Sequence, residues 1–190
     1  MIIGLTGSIA SGKSTITDMI RNMGLPIVDA DLVARQVVEV GSPTLAKIVE
    51  EFGQEILLST GEMDRAKVGA IIFNDEQKRL KLNSIIHPAI RVEMIRQRDA
   101  YVGEGKHVVM DIPLLFESKL QHLVDKILVV TVSPDVQLQR LMTRNNLSKE
   151  EAEARIASQL PLKEKEEGAD AIIYNNGTIE QSKHQLLDIM

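Results

Sequence analysis

The segment Gly7-Ser8-Ile9-Ala10-Ser11-Gly12-Lys13-Ser14 fits the pattern G-x-x-x-x-G-K-[ST] in full. An apolar run, residues 1–6, enters it. Behind it the apolar spacing turns helical, with Ile16, Met19, Ile20 and Met23 on one face before Gly24 and Pro26 stop the helix. A buried strand, a glycine-rich turn and an amphipathic helix in this order form a phosphate-binding loop. Gly7 and Gly12 permit backbone angles that aim successive N–H groups at one anion, at the N-terminus of a helix. Lys13 is placed to reach the β- and γ-phosphates of a nucleotide, and the Ser14 hydroxyl to ligate Mg²⁺.

The rest of the chain must complete such a fold. At 190 residues it holds one full domain and some excess, taking roughly 150 residues per domain. No apolar run approaches the roughly 18 residues of a membrane span, and no basic-then-apolar leader opens the chain. With no cysteine at all, disulfide scaffolds, thiol nucleophiles and thiolate metal sites drop out. A cytoplasmic protein with no membrane partner is expected. The balance of 22 basic against 27 acidic residues, with 3% aromatics and no Trp, argues against a nucleic-acid partner.

Residues 26–29 read as a second strand. Residues 107–112, 127–132 and 171–174 read as three more, with helices between them from 134 to about 144, 148 to 159 and 178 onward. Ser148 with Glu151, and Thr178 with Gln181, have capping-box spacing, and Ser133-Pro134 reads as a further cap. Alternation of this kind predicts an α/β fold: a three-layer parallel β-sheet core with a phosphate loop. Residues 31–104 differ, reading as a run of helices. Ser42 precedes Pro43, Asn74 stands three before Gln77, and Pro88 opens a helix to about residue 101. The expected organisation is a nucleotide-binding core of residues 1–30 and 105–190, a helical substrate-binding insertion of residues 31–104, and a short helical lid near residues 140–160.

The loop alone does not select a reaction. A GTPase pattern is absent, since no Asp has Gly three positions later and no Asn precedes Lys. A small-molecule kinase needs a carboxylate beside the acceptor hydroxyl. Asp29 and Asp31 follow the second strand, and Asp31 is the better placed; either could instead cap a helix over 32–39. Asp111 closes a strand in the manner of a magnesium-holding aspartate, or begins the turn before Pro113. Glu117 lies beyond it as a pocket carboxylate or a surface one. Arg140 and Arg144 share a helix face and Arg155 follows on the next helix, which suits a lid closing cations over a phosphoryl group, or solvated surface pairs. His87 reads as a substrate contact or a helix cap at a helix entrance.

Together these segments resemble the dephospho-coenzyme A kinase family over nearly the whole chain. The resemblance is carried by Gly4-Leu5-Thr6-Gly7 with Ser11-Gly12-Lys13-Ser14-Thr15, by Val28-Asp29-Ala30-Asp31 and by His87-Pro88. It continues in Asp111-Ile112-Pro113-Leu114-Leu115-Phe116-Glu117, Arg155-Ile156-Ala157-Ser158-Gln159, Ala169-Asp170 and Asn175-Asn176-Gly177. The resemblance implies ATP-dependent, Mg²⁺-assisted phosphoryl transfer to dephospho-coenzyme A, with no partner beyond small molecules and a monomer as the default. It makes Asp31 the acceptor-side base, with Lys13 and Arg140 at the phosphates. Ala10, Ser11, Gly12, Lys13, Ser14 and Thr15 would cradle ATP while Asn175 and Asn176 pass the adenine; His87, Asp111, Glu117 and Arg155 would face substrate, and Ser14 and Asp111 the metal. Ser8 and Ala10 stand where the family often has glycine, and Asn145 where it often has an acidic residue.

Overall fold

The computed structural model describes all residues, Met1–Met190. Two compact units emerge: Met1–Val28 with Arg98–Met190, and Asp29–Gln97. The first contains a five-stranded parallel sheet in the order β2-β3-β1-β4-β5, made of β1 (Ile2–Gly7), β2 (Ile27–Asp29), β3 (Val108–Asp111), β4 (Lys126–Thr131) and β5 (Ala171–Tyr174). Strand β1 is central because it is apolar and buried on both faces, pairing Leu5 with Asp111 on one side and Gly7 with Val130 on the other. The carboxyl ends of these strands therefore carry the phosphate loop and Asp111 side by side, the edge where open α/β sheets bind ligands.

Flanking helices in this unit are α1 (Lys13–Asn22), α6 (Pro134–Asn145), α7 (Lys149–Ala157), α8 (Leu162–Glu167) and α9 (Ile179–Ile189). Ile3, Leu5, Ile16, Ile20, Val109, Leu128, Val130, Ile173 and Leu186 form one continuous core beneath them. Both expected capping boxes form, on α7 and α9. Ser133 caps α6 through its carbonyl, which accepts from the Gln137 N–H at 3.0 Å, and not through its hydroxyl. Helix α8 was not foreseen, because its sequence Leu-Lys-Glu-Lys-Glu-Glu has almost no apolar periodicity.

The second unit is helical: α2 (Ala30–Gln36), α3 (Pro43–Phe52), α4 (Arg65–Phe73) and most of α5 (Glu76–Gly103), around Val38, Ile48, Ile56, Val68 and Leu82. Three expectations are corrected here. Pro88 does not open a helix. It lies inside α5, which runs unbroken for 28 residues, at the expense of the backbone bond Pro88 cannot donate. His87 consequently sits exposed in mid-helix and caps nothing. The cap of α5 is Asp75, whose Oδ1 accepts from the Lys78 N–H at 3.1 Å, while the Asn74 amide closes α4 on the Ala70 carbonyl.

Ser42 does cap α3, accepting from the Leu45 N–H at 3.1 Å. Ser42→Ala is expected to cost about 1 kcal/mol, read as a lower melting temperature. No helix is long and apolar enough to cross a membrane.

Candidate active site

The loop geometry follows from its glycines. Gly12 has φ +82°, and a Cβ there would collide with Asn175 Nδ2. Gly7 has no room either: a Cβ would meet Ser11 Oγ at 2.7 Å and the Val130 carbonyl at 2.8 Å. Ala10 holds a left-handed φ of 61° without being glycine, a conformation of modest cost that tight loops tolerate. The loop then passes into α1, whose first residue is Lys13.

The Lys13 ammonium is ion-paired with Asp111 Oδ1. The other oxygen, Oδ2, accepts from the Thr17 hydroxyl at 2.8 Å. Asp111 is buried, so this pairing supplies the counter-charge that an isolated carboxylate would lack. Ser14 follows Lys13 in the first turn of α1 and is exposed.

A cavity of about 540 Å³ opens beside the loop, lined among others by Ala10, Gly12, Thr15, Arg140, Arg144 and Asn175. Asn175 is buried and braces the loop: its Nδ2 donates to the Ser11 carbonyl at 2.9 Å and its Oδ1 accepts from the Ser182 hydroxyl at 2.6 Å. Arg140 and Arg144 reach the same wall from α6.

Other candidates lie apart from this cavity's walls. The Asn176 Oδ1 accepts from the Ser133 N–H at 2.7 Å. Arg155 is exposed on α7. Glu117 turns its Oε2 to the Lys165 ammonium at 3.1 Å. In the helical unit, Asp29 takes the capping role, its Oδ1 accepting from the Asp31 and Leu32 N–H groups at 2.9 and 3.1 Å. Helix α2 ends at Gln36, not residue 39, and Asp31 is not its cap; the Asp31 side chain is exposed in the first turn.

Two glutamines were given no role by the sequence. Gln137, buried on α6, donates through Nε2 to Ser8 Oγ at 3.0 Å and to the Ile9 carbonyl at 2.8 Å. Gln159 accepts at Oε1 from Ser8 Oγ at 2.8 Å and from the Ile9 N–H at 2.9 Å. The one available signal was Gln137 standing four before Leu141, on a face that must be buried.

The helical unit has its own cavity, of about 970 Å³, with Gln36, Lys47, Lys81, Glu93, Arg96 and Gln97 in its lining. Hydrogen bonds from Arg96 and Gln97 hold the Glu93 carboxyl well below the usual range, at about 2, so this wall keeps a fixed negative charge among its cations.

A family model described as dephospho-CoA kinase matches residues 1–181. The chain belongs to the dephospho-CoA kinase family. It is 58% identical over 191 residues to the dephospho-CoA kinase of Bacillus anthracis, covering 100% of this chain and 96% of that one. The Geobacillus kaustophilus dephospho-CoA kinase is 56% identical over 191 residues, covering 100% and 95%. Among solved structures, a Thermus thermophilus protein aligns with TM-score 0.81 at 30% identity, covering 100% of this chain and 95% of that one. Dephospho-CoA kinase from Campylobacter jejuni aligns with TM-score 0.79 at 31% identity, covering 99% and 94%. A shikimate kinase from Bacteroides thetaiotaomicron, TM-score 0.52 at 18% identity, shares the fold.

Proposed function

We propose that this kinase transfers the γ-phosphoryl group of ATP to the ribose 3′-hydroxyl of dephospho-coenzyme A, giving ADP and coenzyme A. The observation that carries this reading is a complete phosphate loop, with Lys13 set against a buried Asp111, in a chain whose residues 1–181 match the family. The acceptor oxygen forms a bond to the γ-phosphorus as the bond to the β-bridging oxygen breaks, and ADP leaves with that electron pair. The acceptor proton passes to the Asp31 carboxylate. Lys13 and Arg140 offset negative charge on the transferring group, Lys13 from the loop and Arg140 from the cavity wall. Loop amides orient the phosphates, and Asn175 keeps the loop in register with β5.

Ser14 and Asp111 offer a hydroxyl and a carboxylate, hard oxygen donors of the number and kind that Mg²⁺ accepts alongside phosphates. Asp111 is engaged by Lys13 and Thr17, so its approach to the ion requires either an exchange of partners or an intervening water. When bound, the ion supplies charge neutralisation at the phosphate oxygens. Arg155 on α7 is a further cation for a lid spanning residues near 140–160. The helical unit is the acceptor's binding region in this reading, with Asp31 and His87 exposed on it and a cavity of about 970 Å³ roomy enough for part of so large a substrate.

ADP release measured with dephospho-coenzyme A, AMP, CMP and adenosine tests the proposal. Release that depends on dephospho-coenzyme A is the expected result. Release with a nucleoside monophosphate alone would assign a different small-molecule kinase, and ATP binding without acceptor-dependent release a regulator that has kept the fold.

A further inference from the structure

Lys165 is a charge that the mechanism does not use. It lies on α8 among Lys163, Glu164, Glu166 and Glu167, yet its side chain is fully buried, with 0% exposed. Its ammonium donates to the Gly7 carbonyl at 3.0 Å and to Glu117 Oε2 at 3.1 Å. A buried ammonium is costly unless paired and hydrogen-bonded, and even a paired one seldom improves on apolar packing. This pair is moreover incomplete: Glu117 Oε1 is buried with no hydrogen-bond partner. Stability alone is therefore a poor reason for the arrangement.

Position supplies a better one. Gly7 is the last residue of β1 and the first of the phosphate loop, and its surroundings leave no room for a side chain. A loop carbonyl turned toward a bound phosphate would repel it. The Lys165 ammonium holds the Gly7 carbonyl on the buried side, away from any ligand. The same stretch of chain grips the next two residues, since Gln159 accepts from Ser8 Oγ and the Ile9 N–H. Glu117 Oε2 also receives the Leu160 N–H at 3.4 Å, tying the start of the stretch to the same carboxylate. Residues 159–165, which follow α7, thus hold the first three residues of the loop from behind.

We propose that Lys165 is a positioning residue for the nucleotide phosphates, acting through the Gly7 carbonyl, with Glu117 as its charge partner. The inference rests on the reading of the loop as an ATP site. Wild-type ATP binding, measured by calorimetry without acceptor, tests that reading separately.

Lys165→Met alone strands the Glu117 carboxylate, so the test pairs it with Glu117→Gln. A second pair, Lys165→Gln with Glu117→Gln, keeps polar groups at both positions. Each pair is expected to melt cooperatively, to weaken ATP binding by about tenfold or more, and to raise KM for ATP more than KM for dephospho-coenzyme A. Lys163→Met, an exposed change on the same helix, is expected to alter neither constant. ATP affinity within about twofold of wild type would overturn the proposal. So would equal losses for both substrates, or failure of both pairs to fold, each of which makes the buried pair a purely structural device.

Discussion

Lys13→Met is expected to lower kcat/KM for ATP-dependent transfer by roughly 10²–10³, the scale on which removing one aimed charge or donor from a phosphoryl or acyl transfer site is felt. The same substitution leaves Asp111 without its cation. Asp111 is 6% exposed at the side chain and Lys13 20%, so partial solvent screening trims the usual penalty for a stranded buried charge to roughly 2 kcal/mol. Activity and stability should therefore fall together in the single variant. They should separate in Lys13→Met with Asp111→Asn, where an uncharged amide still accepts from Thr17 and the melting temperature recovers while turnover does not. Steady-state kinetics beside thermal melts of the two proteins make the comparison. Turnover that recovers with stability would reduce Lys13 to a structural partner of Asp111 and remove it from phosphoryl transfer.

The pairing of Lys13 with Asp111 also shows what a linear sequence conveys well. The loop pattern, the strand before it and the helix after it are adjacent in sequence, and their chemistry is local. A strand ending in Asp111 is equally local, and the parallel pairing of β1 with β3 brings the two ends together. Capping boxes at Ser148 and Thr178 were readable for the same reason, since each is a bond between neighbours three residues apart. Pro88 misled because a proline signals a missing N–H, and that signal is shared by a helix start and by a helix that proceeds without the bond. Lys165 carried no signal at all. In a segment of alternating Lys and Glu it reads as one more solvated cation, and only the fold places the Gly7 carbonyl and Glu117 against it. The roles of Gln137 and Gln159 were likewise unreadable, because their partners Ser8 and Ile9 lie more than a hundred residues away. Candidate groups for the chemistry could be picked out by type and spacing, whereas groups that hold the loop in shape were visible only in three dimensions.

Asp31→Asn is expected to reduce kcat by about 10² while leaving ATP affinity nearly unchanged, as for loss of a general base. The neighbouring aspartate sharpens the expectation. Asp29 caps α2 with its Oδ1, whereas the Asp31 carboxylate is exposed and does not serve as that cap. Two carboxylates of the same type, two residues apart, thus differ in that only Asp29 is occupied as the cap. Asparagine is as good a cap as aspartate, so Asp29→Asn should retain both stability and turnover, and Asp29→Ala should lose about 1 kcal/mol of stability. At position 31 the ordering reverses: the asparagine keeps size and polarity but cannot take a proton, so turnover falls while the melting temperature holds. Single-turnover kinetics at saturating ATP, run on Asp29→Asn and Asp31→Asn together, decide the matter. Equal rates in the two variants would take the Asp31 carboxylate out of the proton transfer and leave positioning by the loop, Lys13 and Arg140 as the whole of the chain's contribution.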